Sequence, residues 1–317
     1  MCLKVLALCL VAIIFWGDAG NAAKADEGEK ITINLASRIL VFYQDGKKKY
    51  MYHIGAGRID TPTPTGMFTI VAKEENPEWV DPKDLKKRIV SGEDNPLGYR
   101  WMEFKDRYYG IHGTNQPDSI GGYVSNGCVR MREEDVEQLF DAVEIGIPVE
   151  IRYERLVIEE TDDGMSVYYI YPDGYCRQYL DVAGVREELE PYGLNTFLSN
   201  EDILEKIEKS DGEPTYIGRV YRVFVDDRWI SGRALEREGV IYVPALPLSV
   251  VTKRNVVWDT TVRAAMTDLG TVPGYSIGQR LFVRLQDLEK LFALRGEIRF
   301  TEHQLNLKTV AATPLSS

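Results

Sequence analysis

Histidine is the scarcest reactive residue of this 317-residue chain, occurring only as His53, His112 and His303. Cysteine is nearly as rare, with Cys2, Cys9, Cys128 and Cys176. A zinc or copper site built on these residues needs three or four ligands. So few candidates, scattered over the chain, leave no expected metal, and no other cofactor is expected. Positive charge is also in deficit: 38 Lys and Arg stand against 49 Asp and Glu, a net charge of −11. Such a surface repels nucleic acid and anionic lipid, so neither is an expected partner. The apolar fraction of 44% and charged fraction of 27% are those of an ordinary globular protein, which excludes a disordered or fibrous chain.

Long apolar runs are missing except at the start. Val5 to Trp16 is almost unbroken, follows the single early charge of Lys4, and gives way to small residues ending in Ala23-Lys24-Ala25. That is the layout of a cleaved secretory signal peptide over residues 1–25, and the run is short for a bilayer span. The mature chain is expected to be exported, to the periplasm or cell wall, with no integral membrane segment. Cleavage removes Cys2 and Cys9, so Cys128 and Cys176 remain for chemistry. They lie in segments assigned to different domains, where a disulfide would have to staple the two together.

Residues 30–153 read mostly as strands. Ile31 to Leu35 alternates apolar and polar, and Asp45-Gly46 between two strand-like runs marks a hairpin, because that turn needs positive φ. A rigid Thr61-Pro62-Thr63-Pro64-Thr65-Gly66 turn leads into the strand-like Met67 to Val71. The charged, proline-containing stretch between Glu75 and Pro96 includes Trp79, which favours an ordered lid. One helix is clear: Val136, Leu139, Phe140 and Val143 form a single apolar stripe, with Glu133, Glu134 and Asp135 in the first turn, where carboxylates complement the helix dipole. Ile147 to Ile151 then closes the domain as a strand. The expected fold is thus a mainly β, sandwich-like domain with one packed helix, followed by a smaller α+β region.

Residues 154–218 read as a connecting α+β segment, with a hairpin turn at Pro172-Asp173-Gly174 and helices near Val185 to Leu189 and Ile203 to Ile207. Residues 219–308 carry a weak repeat: Ile241 to Leu246 and Leu281 to Leu285 share a strand pattern running into a Leu-rich turn, about 40 residues apart. Residues 309–317 read as a frayed, disordered tail.

The chemistry concentrates at two places. His112 follows the strand-like Tyr108-Tyr109-Gly110-Ile111, and sixteen positions later Cys128 stands in Ser125-Asn126-Gly127-Cys128-Val129-Arg130-Met131. Polar and glycine neighbours are not core composition, so Cys128 reads as a nucleophile. A free thiol titrates near ~8.5 and is a poor nucleophile at neutral pH. An imidazole that takes its proton, and a guanidinium such as Arg130 that stabilises the thiolate, correct this. Gly127 lets a carbonyl approach the backbone, and the N–H groups of Gly127 and Cys128 are candidate oxyanion donors. Ser125, Asn126, Thr114 and Asn115 are candidate supporting or substrate-binding residues.

His112-Gly113-Thr114-Asn115, Ser119-Ile120-Gly121 and Ser125 to Met131 together resemble the signature of the L,D-transpeptidase catalytic domain, the YkuD family, and Thr63-Pro64-Thr65-Gly66 is similar to that family too. The resemblance covers residues 31–153. It implies a ping-pong reaction on peptidoglycan stem peptides, the expected partner: Cys128 attacks a tetrapeptide donor, D-alanine leaves, and His112 handles the protons. It also implies that the Gly113 carbonyl holds the imidazole. Many members have histidine where this chain has Asn126, which bears on fine orientation and substrate preference. Residues 223–305 are more loosely similar to the copper amine oxidase N-terminal-like domain, through Val243-Pro244 and Val257-Trp258-Asp259. Without a histidine set this implies a wall-binding or spacer role, not a metal. An L,D-carboxypeptidase using the same nucleophile, and a non-catalytic wall-binding protein, are the alternatives left open.

Overall fold

The computed structural model describes residues 28–81, 84–106 and 108–311. The signal-peptide expectation for residues 1–25 lies outside them. Among the described residues, no helix is long and apolar enough to cross a membrane.

Two main sheets build the first domain, as its alternating patterns predict. The larger has the order Lys47–His53, Ile39–Gln44, Lys30–Asn34, Pro148–Arg152, Gly66–Thr69. The Asp45-Gly46 turn opens this order, and both residues have positive φ, 52° and 72°, the geometry a two-residue hairpin demands. Lys30–Asn34 and Pro148–Arg152 run parallel, so the two ends of the domain are stitched together at its centre. The smaller sheet has the order Val129–Arg130, Gly110–His112, Arg100–Glu103, Ala72–Glu75. Ile31, Ile33, Phe42, Val149 and Ile151 from one sheet and Met102, Ile111 and Val129 from the other share a single buried core.

The helix Glu133–Ala142 buries Val136, Leu139 and Phe140 against that core, and Val143 just beyond it is also fully buried. It starts directly after Val129–Arg130, so the strand carrying the candidate site and the helix share one rigid connection. The stretch expected to be an ordered lid is a hairpin of Trp79–Asp81 and Asp84–Ile89. Its base is pinned by the buried Asn95, whose amide donates to the carbonyls of Pro77 at 2.7 Å and Ile89 at 3.2 Å.

The second half departs from the expected division at residue 218. Thr215–Val225 is one continuous strand across that boundary, pairing with Ser166–Ile170 at one end and with Arg228–Arg237 and Gln304–Thr309 further along. One nine-stranded sheet therefore unites the two expected units. The helices Val182–Leu189 and Asn200–Lys209 lie where their apolar spacing placed them. They bury Val185, Leu189 and Ile203 against Tyr168, Ile217, Leu235 and Phe282 of that sheet.

The hairpin expected at Pro172-Asp173-Gly174 is absent. Ser166–Ile170 pairs instead with the preceding strand Leu156–Glu160. Asp173 spends its carboxylate on the hydroxyl of Tyr153 and the amides of Arg177 and Gln178, which folds the chain into a compact loop. The repeat is a structural one. Val240–Pro244 and Arg280–Arg284 pair antiparallel with Val243 opposite Val283, and each runs into a short helical segment, Ala245–Thr252 and Leu288–Phe292. Of the tail expected over 309–317, residues 312–317 lie outside the described residues, while the last strand reaches Thr309 and the Val310 amide donates to the Ala293 carbonyl.

Candidate active site

The parallel pairing of Gly110–His112 with Val129–Arg130 sets Ile111 opposite Val129 and His112 opposite Arg130. Side chains alternate across a sheet. Ile111 and Val129 point into the core, both fully buried, so His112 and Arg130 share the opposite face. Cys128, one residue before the strand, falls on that same face, diagonal to His112. A two-residue period and one strand spacing of about 4.8 Å thus bring together groups sixteen positions apart in sequence.

His112 is only 4% exposed. Its Nδ1 lies 2.6 Å from the Gly113 carbonyl oxygen. A carbonyl only accepts, so Nδ1 carries the proton and Nε2 carries the lone pair. Trp101, opposite His112 on the neighbouring strand, stacks on the ring at 5.7 Å with 24° between planes. Burial pushes the imidazole down to about 4, against the raising effect of the Gly113 bond, and the nearby Arg130 charge lowers it further. At neutral pH it is a neutral base.

Cys128 is a free, half-buried thiol whose Sγ lies 3.2 Å from the Tyr108 carbonyl. Burial pushes its pKa up, while the Gly110 backbone and Arg130 pull it down. The resting pair is thus thiol and neutral imidazole rather than a thiolate–imidazolium ion pair. The glycine at 110 is demanded by packing, since a Cβ there would sit 2.5 Å from the Trp101 ring.

The Gly127 amide is not available as an oxyanion donor. It donates to Ser125 Oγ at 3.1 Å, while that hydroxyl donates to the Cys128 carbonyl at 2.6 Å. The small Ser125 ring shapes the turn that Gly127, at φ 117°, makes just before the cysteine. Ser125 is therefore a buried structural support. Asn126 is exposed and accepts from Arg58 Nη2 at 2.5 Å, away from His112's hydrogen bond.

Thr114 and Asn115 fasten the loop after His112. The Thr114 amide donates to Glu133 Oε1 at 2.5 Å, its hydroxyl accepts from the Gln116 amide, and Asn115 donates to the Asp94 carbonyl at 3.1 Å. Glu133 is the residue that sequence reasoning undervalued. Its other oxygen accepts from the Tyr99 amide at 3.1 Å, so one carboxylate ties the histidine loop to the segment that follows the Trp79–Asp81 and Asp84–Ile89 hairpin. Gly113 and Gly98 make room for it: a Cβ at either would lie 2.0 Å or 1.8 Å from Glu133 Oε1. An acidic first turn signalled a helix start and nothing more; only the fold shows which amides it meets.

Two further residues were not legible as parts of the site. Arg58 donates its amide to the Ser125 carbonyl and faces the cysteine turn. Tyr175, from beyond the strand-rich domain, is 3% exposed in that domain's core and donates to the Gly57 carbonyl at 2.7 Å. It stacks on Tyr153 at 5.2 Å and packs against Tyr123 at 4.7 Å. Cys176 beside it is exposed and free.

Residues 28–151 match the YkuD family, the L,D-transpeptidase catalytic domain. A protein of Bacillus subtilis (strain 168) named as an L,D-transpeptidase, YqjB, is 38% identical over 136 residues, 41% of this chain and 74% of that one. One of Salmonella typhimurium, named as the L,D-transpeptidase ErfK/SrfK, is 35% identical over 209 residues, 60% of this chain and 67% of that one. The chain spans between about half and three quarters of these and similar curated relatives, from 48% of Escherichia coli YbiS to 74% of YqjB. Among solved structures, the catalytic domain of an E. faecium L,D-transpeptidase is 28% identical with a TM-score of 0.33, covering 40% of this chain and 98% of that one. With its thiol, imidazole and carbonyl on one sheet face and these relatives in sequence, the chain belongs to the L,D-transpeptidase (YkuD) family.

Proposed function

We propose that this protein is an exported enzyme that cross-links peptidoglycan stem peptides through a Cys128 thioester. The observation that carries the reading is the neutral His112, its Nδ1 proton spent on Gly113, which leaves Nε2 as the lone-pair nitrogen on the sheet face that Cys128 shares. As Cys128 Sγ attacks the carbonyl before the terminal D-alanine of a tetrapeptide donor, its proton passes to Nε2. The tetrahedral intermediate collapses, the C–N bond breaks, and the imidazolium returns the proton to the departing amine. The amine of a second stem then attacks the thioester, His112 takes its proton, and the thiolate leaves and is reprotonated. The Cys128 amide, not that of Gly127, is the backbone donor left to stabilise the oxyanion. Export rests on the N-terminal apolar run and its small-residue end.

A strained β-lactam carbonyl tests the nucleophile. Incubation with a carbapenem followed by intact-mass measurement should give one adduct on the wild type and none on Cys128→Ala. An adduct on the variant would move the nucleophile elsewhere. With a disaccharide-tetrapeptide substrate, dimers report transfer and tripeptide alone reports hydrolysis.

A further inference from the structure

The cysteine turn is flanked by two guanidiniums in a chain whose overall charge is strongly negative. Arg130 lies across from His112, and its Nε is buried without a hydrogen-bond partner among the described residues. Arg58 comes from the facing segment. Gly55 exchanges both backbone hydrogen bonds with Arg130, at 2.9 and 2.8 Å, and three residues later the Arg58 amide donates to the Ser125 carbonyl at 2.9 Å. The two charges are close enough to disfavour each other. Asn126 takes one N–H of Arg58 and the exposed Asp60 takes Nε at 3.2 Å, so part of the guanidinium fork still faces solvent next to Asn126, in the turn that leads into Cys128. An orphaned buried donor next to a second like charge is unfavourable in the empty site and favourable once an anion arrives.

We propose that Arg58, with Arg130, forms a subsite for the terminal carboxylate of the donor peptide, the carboxylate of the amino acid that is expelled. This rests on the acyl-transfer reading above and names what that site selects. The leaving residue's carboxylate is two bonds from the scissile nitrogen, so a thiol poised on the carbonyl places that carboxylate against the cysteine turn. A donor bearing a free terminal carboxylate would be taken, and one whose end is capped or neutral would not. Asp60 acts as the counter-ion that holds Arg58 in place until the carboxylate displaces or shares it.

The arm carrying Arg58 is itself held from a distance. Tyr175 grips the Gly57 carbonyl, and Thr63 Oγ1 accepts from the Gly57 amide at 2.9 Å. The residue before Arg58 is thus fixed on both its backbone groups, which gives an exposed arginine a defined origin.

The test compares a tetrapeptide donor with the same peptide ended by a carboxamide, following release of D-alanine or D-alaninamide. The wild type should prefer the acid by roughly 10- to 100-fold in kcat/KM, the range of a charge-assisted hydrogen bond. Arg58→Ala should erase most of that preference and Arg58→Lys should restore part of it. Alkylation of Cys128 by neutral iodoacetamide should proceed equally in all three. If Arg58→Ala keeps the acid-over-amide ratio, the carboxylate subsite is overturned while the acyl-transfer reading stands. If the alkylatable wild type releases no amino acid from either peptide, the acyl-transfer reading falls and the subsite with it.

Discussion

The two reacting side chains sit in opposite kinds of surroundings. His112 is buried, stacked on Trp101, and bound through Gly113; the loop behind it is clamped by Glu133. Cys128 is half-buried on a turn whose outer neighbours, Asn126, Arg58 and Asp60, are exposed. One side is built so that the base is held in place and rests unprotonated; the other admits a substrate. Burial nonetheless acts on both groups and leaves both uncharged at rest. Burial of the imidazole lowers its proton affinity and burial of the thiol raises its own, so the proton stays on sulfur until a carbonyl arrives.

Removing the base is the largest break in this arrangement. His112→Ala should slow acylation by about 10²- to 10⁴-fold, the usual contribution of a positioned base, with the carbapenem adduct forming slowly but still on Cys128. Loosening the clamp should cost less. Gly113→Ala sets a methyl against the Glu133 carboxylate, so the loop must shift; with misplacements of about 1 Å costing about 10²-fold, a loss of that order in kcat with little change in thermal stability is expected. If Gly113→Ala combined with Glu133→Ala recovers the rate, the clash is the cause.

The buried histidine also makes a prediction about stability. Its ordinary value is 6.5 and burial lowers it to about 4 in the folded protein. Between those values the unfolded chain binds a proton that the folded one refuses. Stability therefore falls as pH drops from about 6.5 to about 4, and the loss levels off below that. The shift corresponds to about 3 kcal/mol. Urea melts at pH 7 and pH 4.5 should show a smaller loss for His112→Gln than for the wild type, the difference isolating this group from the carboxylates. Equal losses would mean that the imidazole charges without cost.

Much of the reactive pair was readable from one dimension because the polar and glycine neighbours of Cys128 and the strand-like run before His112 are local signals, and the structure then adds the pairing. Gly110-Ile111-His112 and Cys128-Val129-Arg130 each alternate, and the two apolar centres, Ile111 and Val129, had to face one core. The Gly113 carbonyl was expected from the family resemblance, and it lies against the ring of the histidine it follows. What escaped depends on long loops meeting. Glu133 looked like an ordinary helix-start acid, and its meeting with the amides of Tyr99 and Thr114 is set by tertiary packing. The Gly127 amide is the exception, missed although its partner is local: Ser125 Oγ accepts it from two residues before, as serine hydroxyls do in tight turns. The division at residue 218 failed because Thr215–Val225 is a strand long enough to serve two neighbours in succession, and an apolar–polar pattern does not say how many partners a strand will have.

The smallest expected effect probes the join between the two halves. Tyr175 belongs to the loop that Asp173 organises, yet its ring lies in the first domain's core and its hydroxyl holds Gly57, next to Arg58. Tyr175→Phe keeps the ring stacked on Tyr153 and removes one buried hydrogen bond, a loss of about 1 kcal/mol in stability. Tyr175→Ala also empties the ring's site and should cost about 3–5 kcal/mol. The informative outcome is how each change reaches the two reacting groups. The iodoacetamide rate of Cys128 should hold in Tyr175→Phe, because the histidine side is braced by Glu133 and Trp101 and does not touch Tyr175. Turnover of a peptide donor should weaken through KM, because the released Gly57 carbonyl frees the arm that carries Arg58. A fall in alkylation rate matching the fall in turnover would show instead that the two sides of the site move together, and that the rigid and open halves described above are one mechanical unit.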